Sequence, residues 1–277
     1  MRLNHNLASL NVYRSYVKDL KNQSIAMSRI SSGYKINKAG EGPNAIAKSE
    51  RFRLQIRGLQ MANRNVQDGI SMLQTAEGGL NGITKSLQRI RELLVEGGGV
   101  TSKSDKKDIQ IEINQMIDSI ESLANRTDFN SVNILNNNDV IKTQVGNNID
   151  EQICIQSYDV TSKGLKLKDS SGKYLIDLKD ANSMSNSIGI IDDSIEKVLK
   201  ARSKFGALEN RFESSYNNLS DITDRVVSAE SSIRDTDIAE EMMKLAKNNI
   251  LVEAGNAMMV QTNQFPKDVL RILERLK

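Results

Sequence analysis

Few side chains in this sequence are of the types that support catalysis or metal binding. His5 is the only histidine and Cys154 the only cysteine among the 277 residues, which excludes an internal disulfide and a cluster of thiolate or imidazole metal ligands. No glycine-rich phosphate-binding loop follows a strand-like segment, and no pair of carboxylates stands apart from ordinary helix-surface charge. We therefore predict that the chain is not an enzyme and uses no cofactor and no metal ion.

Charge and composition limit the kinds of partner. The 38 basic and 35 acidic residues are interspersed and aromatic residues make up only 4% of the chain, which argues against a nucleic-acid binder. No run of about 18 apolar residues is present, so we expect no membrane span. The first residues also lack the apolar block and the cleavage site of a secretory signal. Cys154 lies in alternating sequence and is interpreted as a small strand residue.

Apolar residues at three- and four-residue steps predict long amphipathic helices. The first helix runs from near Leu3 to Gly33, where glycine is suited to end a helix. Further helices are predicted over about 45–96, over about 104–125, from Ser187 to a break at Asp235–Asp237, and from Ile238 towards Lys277. Asp237 followed by Glu240 is typical of a helix N-terminal cap.

The middle of the chain changes character. Residues 136–179 are rich in Asn, Gly, Asp and β-forming residues. Val140–Val145 and Gln152–Val160 predict two short strands, and Leu165–Lys168 with Tyr174–Leu178 predict a hairpin. The expected fold is mainly α: an elongated coiled-coil bundle of long helices, formed by the N- and C-terminal segments, with a small β-hairpin insert.

This pattern divides the chain into three parts. Residues 1–44 with 235–277 are expected to form a terminal helix pair and its connector. Residues 45–135 with 183–234 are expected to form a helical bundle, and residues 136–182 the β insert. The first and last helices are expected to pack against each other.

The terminal helices also indicate self-association. An isolated pair of helices buries little surface and is marginal alone. Their apolar residues spread beyond one narrow stripe, which implies neighbours on more than one side. A contact between copies that is not two-fold symmetric produces open helical polymers. The alternative is that the extra Met and Val residues only thicken an ordinary bundle. The residues predicted to form the polymerisation interface are Leu3, Leu7, Leu10, Val17, Leu20, Met27, Met242, Leu245, Ile250, Met258, Phe265, Val269 and Ile272.

Ordered motifs at both ends resemble the bacterial flagellin family. At the N-terminal end these are Ser28–Asn37, Asn65–Ser71 and Gln74–Leu80. At the C-terminal end, Ser232–Glu241 and Gln264–Leu270 resemble the corresponding blocks. The resemblance implies a subunit of the extracellular flagellar filament, of the short core type without large outer domains.

The same resemblance implies a set of partners. Besides other copies of the chain, these are the flagellar cap and hook-associated proteins and an export chaperone that holds Ile238–Lys277. Export would use the flagellar type III apparatus without a cleaved signal. Gln88–Val95 is similar to the segment recognised by Toll-like receptor five, with Arg89, Leu93 and Glu112 as the implied contacts.

Two other functions fit parts of the pattern. A hook–filament junction protein shares the terminal helices but occurs in few copies. A general coiled-coil scaffold fits the periodicity but not the ordered motifs. The sequence departs from the family pattern at Gly40–Asn44, in the three glycines 97–99, and in the residues that follow Leu273.

Overall fold

The computed structural model describes residues 6–99, 102–169, 171–178 and 181–275, without the side chains of 181, 182, 269, 270 and 272–275. The helices are α1, Leu7–Ser32; α2, Pro43–Gly97; α3, Lys103–Arg126; α4, Ala181–Arg234; and α5, Ile238–Arg275. The strands are β1, Asp128–Phe129; β2, Val132–Asn133; β3, Val140–Gln144; and β4, Gln152–Gln156. The prediction of a mainly helical fold with a small β-hairpin insert is confirmed.

Local capping explains where several helices begin and end. Gly33 ends α1 in the left-handed conformation, with φ of 74°, and its N–H donates to the Arg29 carbonyl at 2.8 Å. Ser102 and Asp105 form a reciprocal capping box at the start of α3. The Asp237 carboxylate accepts from the backbone N–H of Ala239 at 2.8 Å and so caps α5 as predicted.

The chain forms two compact units. The terminal unit contains residues up to Leu54 and from Arg225 onward, which include α1, α5, the start of α2 and the end of α4. The central unit contains Gln55–Asp224.

The core of the central unit follows the predicted apolar stripes. Along α2, the stripe from Val66 to Leu94 is buried except at Ile70, which is half-buried. From α4, Phe205 and Phe212 are the largest fully buried side chains. A Cβ at Gly69 would lie 2.8 Å from Phe212 Cε1, so glycine permits this close packing of α2 on α4.

The glycines within α2 do not interrupt the helix. Instead, Gly79 and Gly82 make room for the end of α3 and the segment after it. A Cβ at Gly79 would lie 2.7 Å from Thr127 Oγ1, and one at Gly82 would lie 3.3 Å from Leu123 Cδ1. Their cost in helix propensity is therefore offset by close tertiary contact.

Two small antiparallel pairs follow α3, the first before the insert and the second within it. Strands β1 and β2 pair through Asp128 with Asn133, across a turn in which Asn130 and Ser131 have positive φ. Strands β3 and β4 pair from Val140 with Gln156 to Gln144 with Gln152. The prediction of these last two strands is confirmed, although β4 ends four residues before Val160.

The second predicted hairpin is only partly formed: its two segments meet at one antiparallel bridge, but the prediction of two extended strands is wrong. Among the described residues of 165–178, one isolated bridge joins Lys168 to Tyr174. Lys166 has φ of 59°, and the Leu167 N–H donates to the Ser162 carbonyl, so the chain turns where a strand was expected. The alternating apolar residues are nevertheless buried, since Leu165 is 3% exposed and Leu167 is fully buried.

Lys168 links this part of the insert to α3 through two ion pairs. Its ammonium group lies 2.7 Å from Asp118 and 2.9 Å from Glu121. The hydrogen bond from Lys168 is the largest of the influences that lower the pKa of Asp118, whereas for Glu121 the hydrogen bond from Ser162 is larger. The same pairing raises the pKa of Lys168.

Helix α4 begins at Ala181, before the predicted start at Ser187. The residues in between contain one large apolar residue, Met184, and so lack an apolar stripe. In the structure the Ser187 hydroxyl donates to the Ser183 carbonyl at 2.8 Å, one helical turn earlier. The helix backbone therefore satisfies this buried hydroxyl.

Candidate self-association surface

The terminal unit is built on the pairing of α1 with α5, as the sequence predicted. The helices run antiparallel, since Asn6 lies beside Thr262 and Arg29 beside Glu241. They approach closely: a Cβ at Gly255 would lie 3.4 Å from Tyr16 Cδ2 and 4.0 Å from Tyr16 Cα. Gly255 therefore lies directly against Tyr16 across the pair, at a distance where a Cβ atom would make ordinary van der Waals contact.

The face of α5 that is least exposed to solvent contains both polar and apolar residues. Its least exposed positions alternate four- and three-residue steps, the spacing of a coiled-coil seam. They are Glu241, Leu245, Asn248, Val252, Gly255, Met259, Thr262 and Pro266. The corresponding positions from the start of α1 are Asn6, Ser9, Val12, Tyr16, Asp19, Gln23, Ala26 and Ile30. We call these two sets together the seam.

Polar groups join the helices along the length of the seam. The contacts are Asn6 Nδ2 to the Thr262 carbonyl at 2.9 Å, Ser9 Oγ to Asn263 Oδ1 at 3.0 Å, Gln23 Nε2 to Asn249 Oδ1 at 2.6 Å, and Arg29 Nη1 to Glu241 Oε1 at 3.3 Å. Such bonds fix the register of the pair while each contributes only about 1 kcal/mol. Sequence reasoning missed them because it followed apolar spacing alone. The four–three spacing of small and polar residues in α5 was the available signal.

Glu241 is the most buried charge of the seam. Its side chain is 5% exposed and lies 3.3 Å from Arg29 and 3.0 Å from Lys244. Burial raises the pKa of Glu241, but the hydrogen bond and charge of Lys244, together with Arg29, outweigh it and lower the pKa overall. The carboxylate is therefore held ionised inside the helix pair.

A clasp of backbone and side-chain contacts joins the two connectors of the terminal unit. The Lys35 N–H donates to the Arg234 carbonyl at 2.7 Å, and the Thr236 N–H donates to the Gly33 carbonyl at 3.1 Å. The Arg234 guanidinium lies 4.8 Å from the centre of the Tyr34 ring and donates to Glu50 at 2.9 Å. The end of α1 and the start of α5 are thus tied together.

The predicted apolar stripe does not form the seam. Large apolar side chains instead remain exposed on both terminal helices. They are Leu7, Leu10, Tyr13, Val17, Leu20 and Met27 on α1, and Ile238, Met242, Met243, Ile250, Leu251, Met258, Val260 and Phe265 on α5. The predicted interface residues Leu7, Leu10, Val17, Leu20, Met27, Met242, Ile250, Met258 and Phe265 are among these exposed side chains.

The remaining predicted interface residues have other positions. Leu245 belongs to the seam and is half-buried. Leu3 lies outside the described residues, and the side chains of Val269 and Ile272 are also outside the description. The exposed apolar surface is therefore defined by the described residues of α1 and α5.

The residues implied as receptor contacts lie in the central unit. Arg89 and Glu112 are surface residues of α2 and α3 and form an ion pair at 3.1 Å. Hydrogen bonds to Glu92 and Glu112 raise the pKa of Arg89. Leu93 is 1% exposed, so in this conformation it supports the surface from beneath and cannot touch a partner directly. Recognition through these residues stays a prediction.

Two further searches concern the described part of the chain alone. No helix in it is both long and apolar enough to span a membrane. Its histidine, cysteine and acidic residues contain no group of three or more that could hold a metal ion. Cys154 lies exposed in β4 as a free thiol.

Comparison with known proteins gives the same family from both ends. Residues 3–139 match the bacterial flagellin N-terminal helical region, and residues 188–273 match the C-terminal helical region. The chain is 37% identical to a flagellin of Bacillus subtilis, with 99% of this chain and all of that one covered. It is 34% identical to a flagellar filament 31.3 kDa core protein of Treponema maltophilum, again over 99% of this chain and all of that one.

A solved structure agrees with the fold. The crystal structure of Bacillus cereus flagellin matches with a TM-score of 0.50 and 26% identity, over 56% of this chain and 88% of that one. Full-length similarity to flagellins, together with matching N- and C-terminal regions, shows that this chain belongs to the bacterial flagellin family.

Proposed function

We propose that this chain is the structural subunit of a flagellar filament and that the exposed apolar surface of α1 and α5 is where subunits join. The observation that carries the proposal is the arrangement of the terminal pair. Polar contacts join the two helices, while most of their large apolar side chains, such as Leu10, Met242 and Phe265, remain exposed. The relatives of this chain include flagellins and a flagellar filament core protein.

Physical chemistry favours a polymer as the means of covering this surface. Large apolar patches on soluble proteins mark interaction sites, and the outward residues here extend along both helices. A pair of helices joined by a polar seam has little stability of its own. Copies of the same chain supply apolar surface of the same composition, so assembly buries what folding leaves exposed.

The proposal assigns a part to each region of the chain. Residues 1–44 with 235–277 form the inner contacts of the filament. Residues 45–135 with 183–234 form its outer wall, and residues 136–182 decorate that wall. The different chemistry of the regions supports this assignment, because the core of the central unit is buried within one chain whereas the apolar residues of the terminal pair are not.

Hydrogen exchange compared between free subunit and filament tests the proposal. We expect the amides of α1 and α5 to exchange quickly in the free subunit and at least 100-fold more slowly in the filament. The core of α2 around Leu87 is the internal control, since it is fully buried already and should change little. Equal protection of α1 and α5 in both states would refute the proposed interface.

A truncation gives an independent test. Removal of Met1–Gly33 should leave a soluble helical subunit because the central unit keeps its own core. This variant should form no filaments, since half of the exposed apolar surface and of the seam is lost. Filaments of normal diameter in electron micrographs of the variant would contradict the assignment.

The same surface supports the proposal of an export chaperone. Before assembly, the outward residues of α5 would associate without control, and a protein that covers Ile238–Arg275 would prevent this. Export through the flagellar type III apparatus without a cleaved signal, and contact with the cap and hook-associated proteins at the filament ends, complete the proposed pathway. Co-purification of a partner with the full chain, lost when α5 is deleted, tests the chaperone; an unchanged yield of partner would refute it.

Recognition of the free subunit by Toll-like receptor five is proposed through the surface around Arg89 and Glu112. Because Leu93 is buried, its substitution would disturb the fold as well as any contact. The informative variant is therefore Arg89→Ala with Glu112→Ala, and Arg91→Ala is the matched control because Arg91 pairs instead with Asp192. We expect the double variant to reduce receptor signalling at least tenfold and the control to leave it unchanged. Equal responses would refute the assignment.

A further inference from the structure

Exposed methionines are concentrated on the terminal pair. Met27 is 61% exposed, Met242 51%, Met243 67% and Met258 50%. In the described part of the central unit, Met61 is also exposed, at 53%, whereas Met72 is 6% exposed. Oxidants attack the thioether sulfur of methionine, and the rate of attack depends on how accessible that sulfur is to solvent.

We propose that Met27, Met242, Met243 and Met258 are oxidation sites and that their conversion to sulfoxides prevents the free subunit from joining a filament. The inference rests on the proposed role of the terminal pair as the polymerisation interface. The oxidant is a peroxide such as hydrogen peroxide. The sulfur lone pair attacks one peroxide oxygen, the O–O bond breaks, and the products are a sulfoxide and water. Sulfur is oxidised by two electrons, and the peroxide is reduced.

The effect on assembly follows from what each side chain becomes. A thioether is apolar and flexible, so it fills irregular gaps between packed helices. A sulfoxide is strongly polar, and burying it among apolar side chains such as Leu, Val, Ile and Phe costs free energy wherever no hydrogen-bond donor reaches it. Burying one such unpaired group raises the concentration needed for assembly roughly tenfold.

Assembly itself would protect the same sulfurs. In the filament the interface excludes oxidant, so the sites are open only before incorporation. Because reductases convert methionine sulfoxide back to methionine, the modification can be removed from free subunits. Oxidation would therefore act on unassembled subunits and leave existing filament intact.

The test uses the purified full chain and hydrogen peroxide. Subunits are treated until peptide mass spectrometry shows sulfoxide at the four sites and none at Met72, the oxidant is removed, and the critical concentration for polymerisation is measured by sedimentation. We expect an increase of at least tenfold. The variant with leucine at all four positions should assemble equally well before and after treatment, and Met61→Leu should remain sensitive.

A second measurement covers the case in which the fourfold leucine variant assembles poorly. Wild-type filaments and free subunits receive the same peroxide dose, and sulfoxide is quantified at each methionine. We expect the four terminal methionines to react at least tenfold more slowly in filament. Equal rates, or assembly of the oxidised wild type at its untreated critical concentration, would overturn the inference. Failure of untreated wild type to polymerise would instead overturn the proposed function and the inference with it.

Discussion

Replacing apolar residues on the outward side of α1 separates assembly from folding. Leu10, Val17 and Leu20 are 43%, 44% and 44% exposed in the subunit, and the variant Leu10→Gln, Val17→Gln, Leu20→Gln makes all three polar. Glutamine is compatible with a helix, so the free subunit should keep its helix content. Substitutions on an exposed surface usually change the free energy of unfolding by less than about 0.5 kcal/mol each.

The expected loss in assembly can be worked out from these exposures. Burying a Leu or Val side chain completely stabilises by about 1.5–3 kcal/mol. Since somewhat under half of each side chain is still exposed, contact with another copy can add roughly 1 kcal/mol per residue, or about 3 kcal/mol for the set. Each 1.4 kcal/mol is tenfold, so the critical concentration should rise about 150-fold.

Sedimentation separates polymerised from free subunit, and repeating it at a series of total concentrations measures the critical concentration. The matched control is Asn11→Gln, Lys18→Gln, Lys21→Gln, which places the same side chain at exposed polar positions of the same helix. Its critical concentration should stay within about threefold of wild type, because little apolar surface is removed. Assembly of the first variant at the wild-type concentration would show that the outward stripe of α1 does not join subunits.

Other features give further expected outcomes. Phe212→Ala should lower the free energy of unfolding by about 3–5 kcal/mol, since Phe212 is fully buried against Gly69; denaturant unfolding measures it, and a loss below about 1 kcal/mol would be inconsistent with that burial. Because the pKa of Glu241 is lowered from its ordinary 4.5, its stabilisation is present above pH 4.5 and lost as pH falls through the lowered value. Acid should therefore weaken the α1–α5 pair, and Glu241→Gln should remove that pH dependence of hydrogen exchange in the two helices. Lys168→Met should raise the pKa of Asp118 towards its ordinary value, as an NMR titration of the carboxyl group would report; an unchanged pKa would show that the ion pair is absent in solution.

The central helices were predictable because one chain both supplies and buries their apolar stripes. The α2 stripe from Val66 to Leu94 faces α3 and α4 of the same chain, and its period is that of a helix packed on one side. The glycines at 79 and 82 did not end the helix, because close neighbours compensate for their low propensity, whereas Gly78 has no neighbour within 4 Å.

The terminal helices show the limit of the same reasoning. Periodicity identified the large apolar residues of α1, but it did not show that most of them lie outside the contact with α5. Inside the chain, Gln23 and Ala26 face α5, whereas Leu20, three residues before Gln23, and Met27, one residue after Ala26, are exposed. Small and polar residues such as Gly255 occupy the contact face, and a search for apolar spacing does not detect them.

The hairpin predicted within residues 165–178 failed for a different reason. Alternation correctly indicated that Leu165, Leu167 and Ile176 are buried. Strand pairing, however, needs a continuous extended backbone, and Lys166 adopts a left-handed conformation instead. Side-chain contacts such as those of Lys168 with α3 replace the missing ladder, and contacts between distant segments are not visible in a local pattern.

The polar seam explains how a weak helix pair can present one defined surface to other subunits. An apolar seam would bind more tightly, but Leu, Val and Met pack acceptably in several registers. Hydrogen bonds such as Asn6 with Thr262 and Gln23 with Asn249, and the buried Glu241 with Arg29, are satisfied in one register only. A polar group at a helix seam is known to specify register at a cost in stability. With the proposed interface that cost is recovered on assembly, because the apolar residues kept out of the seam would then be buried between copies.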